Sequence, residues 1–263
     1  MDLAGATVLL TGATGGIGRA LAYRLARANA TLVVTGRQTE QLEALAAEFG
    51  ARPLAADLSR PGDIARLADR CQDVDVLVAN AALPASGDLL DYTPEQIERA
   101  LAVNLTAPVL LSRLLAPRMV ERGRGHLAFV GSMSGKAATP YSSLYTASKF
   151  GLRGFAHSLR LDLRDTGVGV SIVQPGFVRD AGMFAATGAE VPSGVRSVSP
   201  AEVADAVVRA VHGNRGEVNV APLELRLRCA LAVQFPDLAA RSHRRAGDNP
   251  AVQQVIEAQR ALR

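Results

Sequence analysis

The chain has 263 residues, 48% of them hydrophobic, which is enough to bury one large core. Its formal net charge is +4, but the arginines are spread along the chain without a dense stripe or interleaved aromatic residues, so nucleic-acid binding is not indicated. The four histidines lack paired-ligand spacing and the two cysteines, Cys71 and Cys229, lie far apart, which argues against a metal site and a disulfide framework.

The first apolar run begins almost at Met1, without a basic leader or an apolar signal core. No run of 18 or more apolar residues occurs along the chain, so hydropathy predicts no membrane-spanning helix. Together with the lack of a disulfide pattern, these features predict a cytoplasmic protein with reduced thiols.

Short apolar runs alternate with helical patterns along most of the chain. This alternation predicts an α/β fold, a doubly wound Rossmann-type parallel sheet of about seven strands with helices on both faces. Ser199 and Pro200 supply a cap and a first residue for the last of these helices. Strands are predicted near residues 6–11, 31–35, 52–56, 74–79, 127–131, 169–174 and 217–221, and helices near 17–29, 39–49, 62–70, 94–121, 142–166 and 200–212.

A glycine-rich turn, TGATGGIG at residues 11–18, joins the first predicted strand to the first predicted helix. Gly12 permits a tight turn, Gly16 lets the backbone approach a pyrophosphate, and Gly18 lets the helix pack closely on the strand. The N-terminus of a helix also attracts an anion. Such turns have structural lookalikes, but the position between a strand and a helix predicts a dinucleotide site.

The end of the second predicted strand, LVVTGR at residues 32–37, bears on the choice of dinucleotide. An acidic side chain there accepts hydrogen bonds from a free ribose 2′-hydroxyl and repels a 2′-phosphate. Gly36 and Arg37 stand there instead; the glycine makes room and the guanidinium can pair with a phosphate. The pattern favours NADP(H) over NAD(H), the alternative being that Arg37 merely lies at the surface.

Tyr145 and Lys149 stand four residues apart in YTASK, within the predicted helix 142–166. Residues at this spacing share a helix face, so the hydroxyl and the ammonium can point into one cleft. A nearby cation favours the phenolate and brings the tyrosine pKa from about 10 towards neutrality. Ser132, thirteen residues upstream, can polarise a reacting oxygen. The three side chains predict proton exchange coupled to hydride transfer, although Tyr-x-x-x-Lys alone also fits an incidental pair on an exposed helix.

The chain has only two lysines, Lys136 and Lys149, among abundant arginine. A compact ammonium can hydrogen-bond a ribose and bias a neighbouring phenol, unlike a bulky forked guanidinium. Tyr141 lies four residues before Tyr145 but has no lysine at the same offset. Asn104, considered alone, is more readily a buried side chain that bridges backbone groups.

These motifs occur in the order and spacing of the short-chain dehydrogenase/reductase family, which the chain resembles over nearly all of residues 3–222. The resemblance implies a compact enzyme that transfers a hydride between nicotinamide and a carbonyl or alcohol carbon, with Tyr145 as acid/base and Ser132 holding the oxygen. The motifs are TGATGGIG (11–18), Asp57-Leu58, Asn80-Ala81-Ala82, Asn104 in VNLTAP, Ser132 in GSMSG, YTASK (145–149) and Pro175-Gly176 in QPGFV.

The resemblance also implies the roles of single residues. Lys149 would bind the nicotinamide ribose and lower the Tyr145 pKa, and Asn104 would anchor a water that links Lys149 to solvent. Asp57 would contact adenine. The implied catalytic residues are Asn104, Ser132, Tyr145 and Lys149. The implied cofactor-binding residues are Gly12, Thr14, Gly16, Ile17, Gly18, Arg37, Asp57, Leu58, Asn80, Tyr145, Lys149, Pro175, Gly176 and Val178. Tyr145 and Lys149 serve both roles. No metal is expected.

Two positions depart from the family pattern. Gly15 stands where the family often carries a second basic residue for the 2′-phosphate, and Asp180 stands where a threonine usually helps to hold the carboxamide and phosphates. An acid near the pyrophosphate is unexpected. Either Asp180 turns away to pair with a neighbour such as Arg179, or the cofactor is held less tightly on that side.

Substrate specificity is expected in the loops at the strand ends, residues 83–90 and 181–199, together with the tail. Met183, Phe184 and Val191 favour an apolar substrate, such as a lipophilic ketone, aldehyde or secondary alcohol. A sugar or a thioester-borne ketoacyl group also fits.

Two other functions fit parts of the pattern. An epimerase or dehydratase on the related extended scaffold also uses Tyr and Lys with a tightly held cofactor, but it normally has a larger C-terminal substrate domain. A non-catalytic nucleotide-binding protein would keep the glycine turn and could lose Ser132, Tyr145 or Lys149, yet all three are present. The sequence therefore favours the oxidoreductase.

The segment after Pro222 extends beyond what the resemblance explains. We expect a dinucleotide-binding catalytic domain at 1–222 and, at 223–263, a helical extension that packs on it or lies at a subunit interface of a homodimer or homotetramer. Basic residues in this segment make contact with a membrane surface a less favoured alternative. The extension has two amphipathic patterns, one through Leu223, Leu227, Leu231 and Phe235, the other after Asn249-Pro250 through Val252, Val255, Ile256 and Leu262.

Overall fold

Seven parallel strands form one sheet in a computed structural model that describes residues 1–180, 196–243 and 250–260. The order in the sheet is β3-β2-β1-β4-β5-β6-β7, so the predicted doubly wound sheet is confirmed. The chain runs outward from β1 in both directions, which places the topological switch between β1 and β4. The strands are β1 (Thr7–Thr11), β2 (Thr31–Thr35), β3 (Arg52–Pro53), β4 (Val76–Ala79), β5 (Gly125–Val130), β6 (Val168–Pro175) and β7 (Glu217–Val220).

Helices cover both faces of the sheet. Alternate residues of a strand point to opposite faces, so Val8 packs under one helical layer and Leu9 under the other. The first layer contains α1, α2 and α7, and the second contains α3, α5 and α6. The helices are α1 (Gly16–Arg27), α2 (Thr39–Phe49), α3 (Pro61–Asp69), α4 (Pro94–Leu101), α5 (Ala107–Glu121), α6 (Ser143–Asp162), α7 (Pro200–His212), α8 (Leu223–Gln234), α9 (Pro236–His243) and α10 (Pro250–Arg260).

The predicted elements are found with small changes at their ends. The third strand, Arg52–Pro53, is shorter than the predicted 52–56. The pairing nevertheless continues, since Leu54 and Ala56 donate backbone hydrogen bonds to Val34 and Gly36. The α6 helix ends at Asp162, four residues before the predicted end.

The predicted helix 94–121 is continuous but contains a π-helical turn, Ala102–Thr106, between α4 and α5. The stretch Pro94–Glu121 is long and apolar enough to cross a membrane by length and composition. Leu111 and Leu115, however, are almost completely buried in the core. A core helix of an α/β sheet has the same composition as a membrane span, and this one packs against β5 and α3.

Three helices follow β7 in the described part of the chain, where the sequence predicted two. The break comes at Phe235, before Pro236 begins α9. The inner face of α8 presents Cys229 to Met133 and Ala137. Its outer face leaves three leucines more than half exposed, Leu223, Leu227 and Leu231.

The last helix, α10, packs on the loop that follows β4. The Gln259 side chain accepts a hydrogen bond from the backbone N–H of Ser86 at 3.1 Å, and Arg260 forms an ion pair with Asp91. Ile256 and Gln259 are both buried there. The C-terminal segment therefore contacts the predicted substrate loop.

Candidate active site

Four of the predicted site positions lie together at the carboxyl edge of the sheet. Gly12, Asn80, Ser132 and Pro175 stand at or just beyond the ends of β1, β4, β5 and β6, which are neighbours in the sheet. The carboxyl edge beside a topological switch is where open α/β sheets bind ligands. The chain order of the motifs thus becomes one spatial cleft.

The glycine turn has the tight geometry that the sequence predicts. Gly12 has φ of 64°, and a Cβ atom on it would lie 2.7 Å from the Ala81 Cα. A Cβ atom on Gly18 would lie 2.1 Å from the Gly12 carbonyl oxygen. Gly16 begins α1, whose first turn has no acidic residue and no side-chain cap. Backbone and helix N-terminus thus form a cradle that suits a pyrophosphate.

Asn80 stabilises this turn from the neighbouring strand. Its side-chain amide donates hydrogen bonds to the carbonyl oxygens of Thr11 and Gly12, both at 3.1 Å. The Thr11 hydroxyl in turn accepts the backbone N–H groups of Asn80 and Ala81, both at 3.0 Å. Asn80 therefore supports the cradle through its side chain. Thr14 and Ile17 are partly buried beside it.

Arg37, Gly36 and Asp57 lie around the end of β2. The Arg37 side chain is exposed, and its charge acts on Asp57. A Cβ atom on Gly36 would lie 3.3 Å from the Thr14 hydroxyl, so glycine keeps this corner open. The next residue, Leu58, is buried.

Ser59 fixes the Asp57 carboxylate. One carboxylate oxygen accepts the Ser59 backbone N–H at 3.0 Å and the Ser59 hydroxyl at 2.7 Å. Burial alone would raise the pKa of Asp57, but these hydrogen bonds and the nearby arginines hold the pKa below its usual value. Asp57 is therefore an anionic acceptor with a fixed orientation at the adenine end predicted for the site.

Ser132 and Tyr145 face each other across the cleft. Ser132 follows β5 and caps the short 3₁₀ helix Met133–Gly135, accepting the Ser134 N–H at 3.1 Å. The Ser132 side chain lies close enough to the Tyr145 hydroxyl to act as its hydrogen-bond partner. Burial raises the pKa of Tyr145, and the hydrogen bond with Ser132 opposes that rise only in part. The direction is opposite to the one expected from a neighbouring lysine.

Lys149 is buried beside the tyrosine. Its ammonium nitrogen lies 5.7 Å from the centre of the Tyr145 ring and donates a hydrogen bond to the Val130 carbonyl oxygen at 3.1 Å. Burial lowers the pKa of Lys149 to about 8. The expected pair is thus present on one face of α6, but burial, rather than the ammonium, sets the direction of the Tyr145 pKa shift.

Asn104 is almost completely buried in the π-helical turn. Its side-chain oxygen accepts the backbone N–H of Leu83 at 2.6 Å, and its side-chain nitrogen donates to the Leu83 carbonyl oxygen at 3.0 Å. The side chain therefore bridges backbone groups, which is the alternative that the residue suggested by itself. It holds the start of the predicted substrate loop, and the water link to Lys149 stays a prediction.

The segment after β6 departs from the family pattern at Asp180, and its geometry shows how. Gly176 continues the sheet by donating to the Val220 carbonyl oxygen at 2.9 Å, and Val178 is buried beside Val198. Asp180 has φ of 65° and pairs with Arg179 at 3.3 Å. The acid thus pairs with its neighbour, one of the two outcomes expected from the sequence.

No motif in the sequence singles out Gln174 or Glu217 as a site residue. The Gln174 side-chain oxygen accepts the backbone N–H of Ser132 at 2.7 Å. The Glu217 carboxylate is bound by Lys136, a residue noted only because lysine is rare in this chain. That rarity is the one sequence signal that could have pointed to this cluster.

Comparison with known proteins places this geometry in a family. The family model described as short chain dehydrogenase matches residues 6–191, more than half of the chain. This protein belongs to the short-chain dehydrogenase family. Within that family the chain is an NAD(P)-dependent oxidoreductase that acts on CH–OH or C=O groups of small molecules.

Two curated relatives cover most of the chain. The ketoacyl reductase HetN of Nostoc sp. is 36% identical over 83% of this chain and 79% of its own length. The 1-deoxy-11-beta-hydroxypentalenate dehydrogenase of Streptomyces exfoliatus is 37% identical over 82% of both chains.

Solved structures share the fold. A short-chain dehydrogenase from Sphingobium yanoikuyae in complex with NADPH superposes with a TM-score of 0.77, at 32% identity over 89% of this chain and 95% of that one. A metagenomic short-chain oxidoreductase in complex with NADP gives a TM-score of 0.71 at 34% identity, over 84% and 99% of the two chains.

Proposed function

We propose that this short-chain dehydrogenase is an NADP(H)-dependent reductase or dehydrogenase of a lipophilic carbonyl or secondary alcohol, with Tyr145 as its acid/base. The observation that carries the proposal is the proximity of Tyr145 to Ser132 and to the buried Lys149, on the same sheet edge as the glycine cradle. The cradle supports a dinucleotide because only glycine fits at Gly12 and Gly18.

The described residues suit a nicotinamide dinucleotide. Gly12, Gly16 and the N-terminus of α1 would hold the pyrophosphate, Lys149 the nicotinamide ribose, and the Val178 backbone the carboxamide. Arg37 would pair with the 2′-phosphate of NADP(H), and the fixed Asp57 would contact the adenine. When bound, the cofactor supplies or accepts the hydride.

The chain itself handles the proton. A tyrosine whose pKa is raised by burial carries its proton at neutral pH, so Tyr145 is ready to donate that proton to a carbonyl oxygen. Ser132 donates a second hydrogen bond to the same oxygen and orients it.

Apolar side chains around the cleft support a lipophilic substrate. Leu90 is 91% exposed, and Leu89 and Tyr141 are also exposed. Large apolar groups left in solvent near a cleft are typical of a binding surface. Met183, Phe184 and Val191, which suggested the same substrate class, lie outside the described residues. Two relatives are named a ketoacyl reductase and a 1-deoxy-11-beta-hydroxypentalenate dehydrogenase, and both names are compatible with this substrate class.

The proposal extends to assembly and location. The three outward leucines of α8 support a homodimer or homotetramer, and a membrane surface is the less favoured partner for the same face. Cys71 and Cys229 are free and buried thiols, which is compatible with work in the cytoplasm.

The test is a panel of ketones, aldehydes and ketoacyl thioesters assayed by the change in reduced nicotinamide absorbance, with NADPH and NADH in parallel. We expect turnover with NADPH and an apolar carbonyl, and we expect Tyr145→Phe to lower that turnover about 10²- to 10⁴-fold while NADPH still binds. A near-wild-type rate in Tyr145→Phe would remove the proposed role of Tyr145. Bound NADPH without turnover across the panel would instead favour a non-catalytic nucleotide-binding protein.

A further inference from the structure

Glu217, at the start of β7, is the centre of a charged cluster behind the catalytic cleft. Its carboxylate forms ion pairs with Lys136, with Arg153 at 2.7 Å and with His157 at 2.9 Å. The Glu217 side chain is only 15% exposed and that of Lys136 only 18%. A carboxylate that is largely removed from water and shared by three cationic or hydrogen-bonding groups is far more constrained than a surface ion pair.

The three partners come from the two segments that carry the catalytic side chains. Lys136 lies four residues after Ser132, at the end of the short helix that Ser132 caps. Arg153 and His157 continue the four-residue spacing of Tyr145 and Lys149 along α6. One carboxylate therefore connects the Ser132 segment to the helix of Tyr145 and Lys149.

A second contact fixes the same segment from the sheet. Gln174 of β6 accepts the Ser132 backbone N–H at 2.7 Å, and its register partner on β7 is Asn219, two residues from Glu217. Residues two apart on a strand share a face, so Glu217, Asn219 and Gln174 form one polar row under the Ser132 segment.

The Glu217 carboxylate holds its charge at any ordinary pH. Burial would raise the pKa of Glu217, but the hydrogen bonds from Lys136, Arg153 and His157 outweigh it and set the pKa at about 2. Glu217 therefore remains a carboxylate throughout the range in which such an enzyme is assayed.

We propose that Glu217 is a positioning residue, which holds Lys136 and thereby the Ser132 hydroxyl at the distance from Tyr145 that the proposed reaction needs. The inference rests on the proposed function, in which Ser132 and Tyr145 act on one oxygen. It gives Lys136, the other of the chain's two lysines, a role in catalysis without contact with the substrate. A displacement of about 1 Å in such a group can cost about 100-fold in rate.

The first test needs no substrate. Amide hydrogen exchange over residues 132–137 is compared in the wild type and in Glu217→Gln, which keeps the size of the side chain and removes its charge. We expect faster exchange in this segment, because local opening becomes easier when a tie is lost, and unchanged exchange in α1. Unchanged exchange over 132–137 would overturn the proposal whether or not the protein turns over any carbonyl.

The second test measures turnover in two backgrounds. Glu217→Gln should lower kcat about 10-fold or more with little change in the affinity for NADPH, and Glu217→Asp should recover part of the loss. In a Ser132→Ala background, the same Glu217→Gln change should lower kcat less than about twofold, because the effects of two substitutions that act through one group are not additive. The same fold-loss in both backgrounds would mean that Glu217 acts on general stability, not through Ser132.

Asp205→Asn is the matched control. Asp205 forms a partly exposed ion pair with Arg24 between α7 and α1, far along the chain from both catalytic segments. It should lower thermal stability slightly and leave kcat and the exchange of 132–137 unchanged. If the wild type shows no turnover while exchange responds as expected, the proposed function fails and the placement of the Ser132 segment by Glu217 stands.

Discussion

The two halves of the active site are built by different means. The cofactor half, residues 11–18 with 36–37, 57–58 and Asn80, is shaped mainly by backbone: a left-handed glycine, two positions where a Cβ atom would collide, and an uncapped helix N-terminus. The catalytic half, the Ser132 segment with Tyr145 and Lys149, is held by side chains from distant elements. These are Gln174 from β6, Glu217 from β7 and Cys229 from α8.

This difference determines how each half tolerates change. A backbone cradle fails abruptly when a single methyl group is added, since the neighbouring atoms are backbone and cannot move aside. A site held by several side chains should lose activity in steps, because each contact contributes a part. The predictions below test this contrast, from the largest expected effect to the smallest.

Gly18→Ala should give the largest effect in the cofactor half. The new Cβ atom would lie 2.1 Å from the Gly12 carbonyl oxygen, so the turn must move. Overpacking of this kind costs about 1–3 kcal/mol, and we expect NADPH affinity, measured by fluorescence titration, to fall about 10- to 100-fold. Gly154→Ala in α6 is the control, because a Cβ atom there meets nothing within 4 Å and helix propensity improves. Equal NADPH affinity in the two variants would contradict the cradle.

This contrast also explains which features of the fold and the site could be predicted from the sequence alone. The seven strands, the crevice at their carboxyl ends and the glycine turn were predictable because backbone constraints leave local signals, such as glycine at fixed offsets. The pairing of Asn104 with Leu83, the ties of Gln174 and Glu217 to the Ser132 segment, and the upward pKa shift of Tyr145 were not. Each depends on burial or on a contact between residues far apart in the chain, which no local pattern encodes.

Lys149 belongs to both halves and gives the site a pH dependence. Its pKa is lowered by burial from 10.5 to about 8, so the ammonium is present below about pH 8 and is lost as the pH rises through that value. The affinity for NADPH, an anion, should be constant below that pH and decline above it by at most about tenfold per pH unit. Isothermal titration calorimetry across this pH range tests whether the affinity for NADPH falls as the pH rises. Lys149→Met should bind NADPH more weakly at neutral pH and show no decline; a wild-type affinity that rises with pH would refute the assignment.

Arg37 acts in the cofactor half through an exposed side chain, so its removal should weaken cofactor binding without abolishing it. An exposed charge pair contributes up to about 1 kcal/mol and a bidentate pair with phosphate somewhat more; we therefore expect Arg37→Ala to weaken NADPH binding about 10-fold and to leave NADH binding unchanged. Adding Gly36→Asp should raise NADH preference further, although the new Cβ atom would crowd the Thr14 hydroxyl at 3.3 Å. The measurement is kcat/KM for NADPH and for NADH, each at the same substrate concentration, and the cofactor preference is the ratio of the two values. A native enzyme that uses both equally would refute the role of Arg37.

The smallest effects should come from substitutions in α8. Its inner face supports the active site, and its outer face is the one proposed for assembly. Leu225 lies on the inner face with Cys229 and packs in the cluster that covers Met133, the residue after Ser132. Leu227, two positions along, is 56% exposed on the outer face. The pair offers the same substitution, leucine to alanine, in one helix with opposite surroundings.

We expect Leu225→Ala to lower kcat a few-fold and the melting temperature by a few degrees, since a partly buried leucine is truncated, a change that costs about 1–2 kcal/mol. Leu227→Ala should leave both unchanged and shift the oligomeric mass measured by light scattering. Deletion of the chain from Leu223 onward combines the two effects: it uncovers Met133, so turnover should fall even where NADPH still binds. If Leu227→Ala lowers turnover as much as Leu225→Ala and the oligomeric mass stays constant, the outer face of α8 supports the site directly. The two faces of α8 would then differ less in function than their exposure suggests.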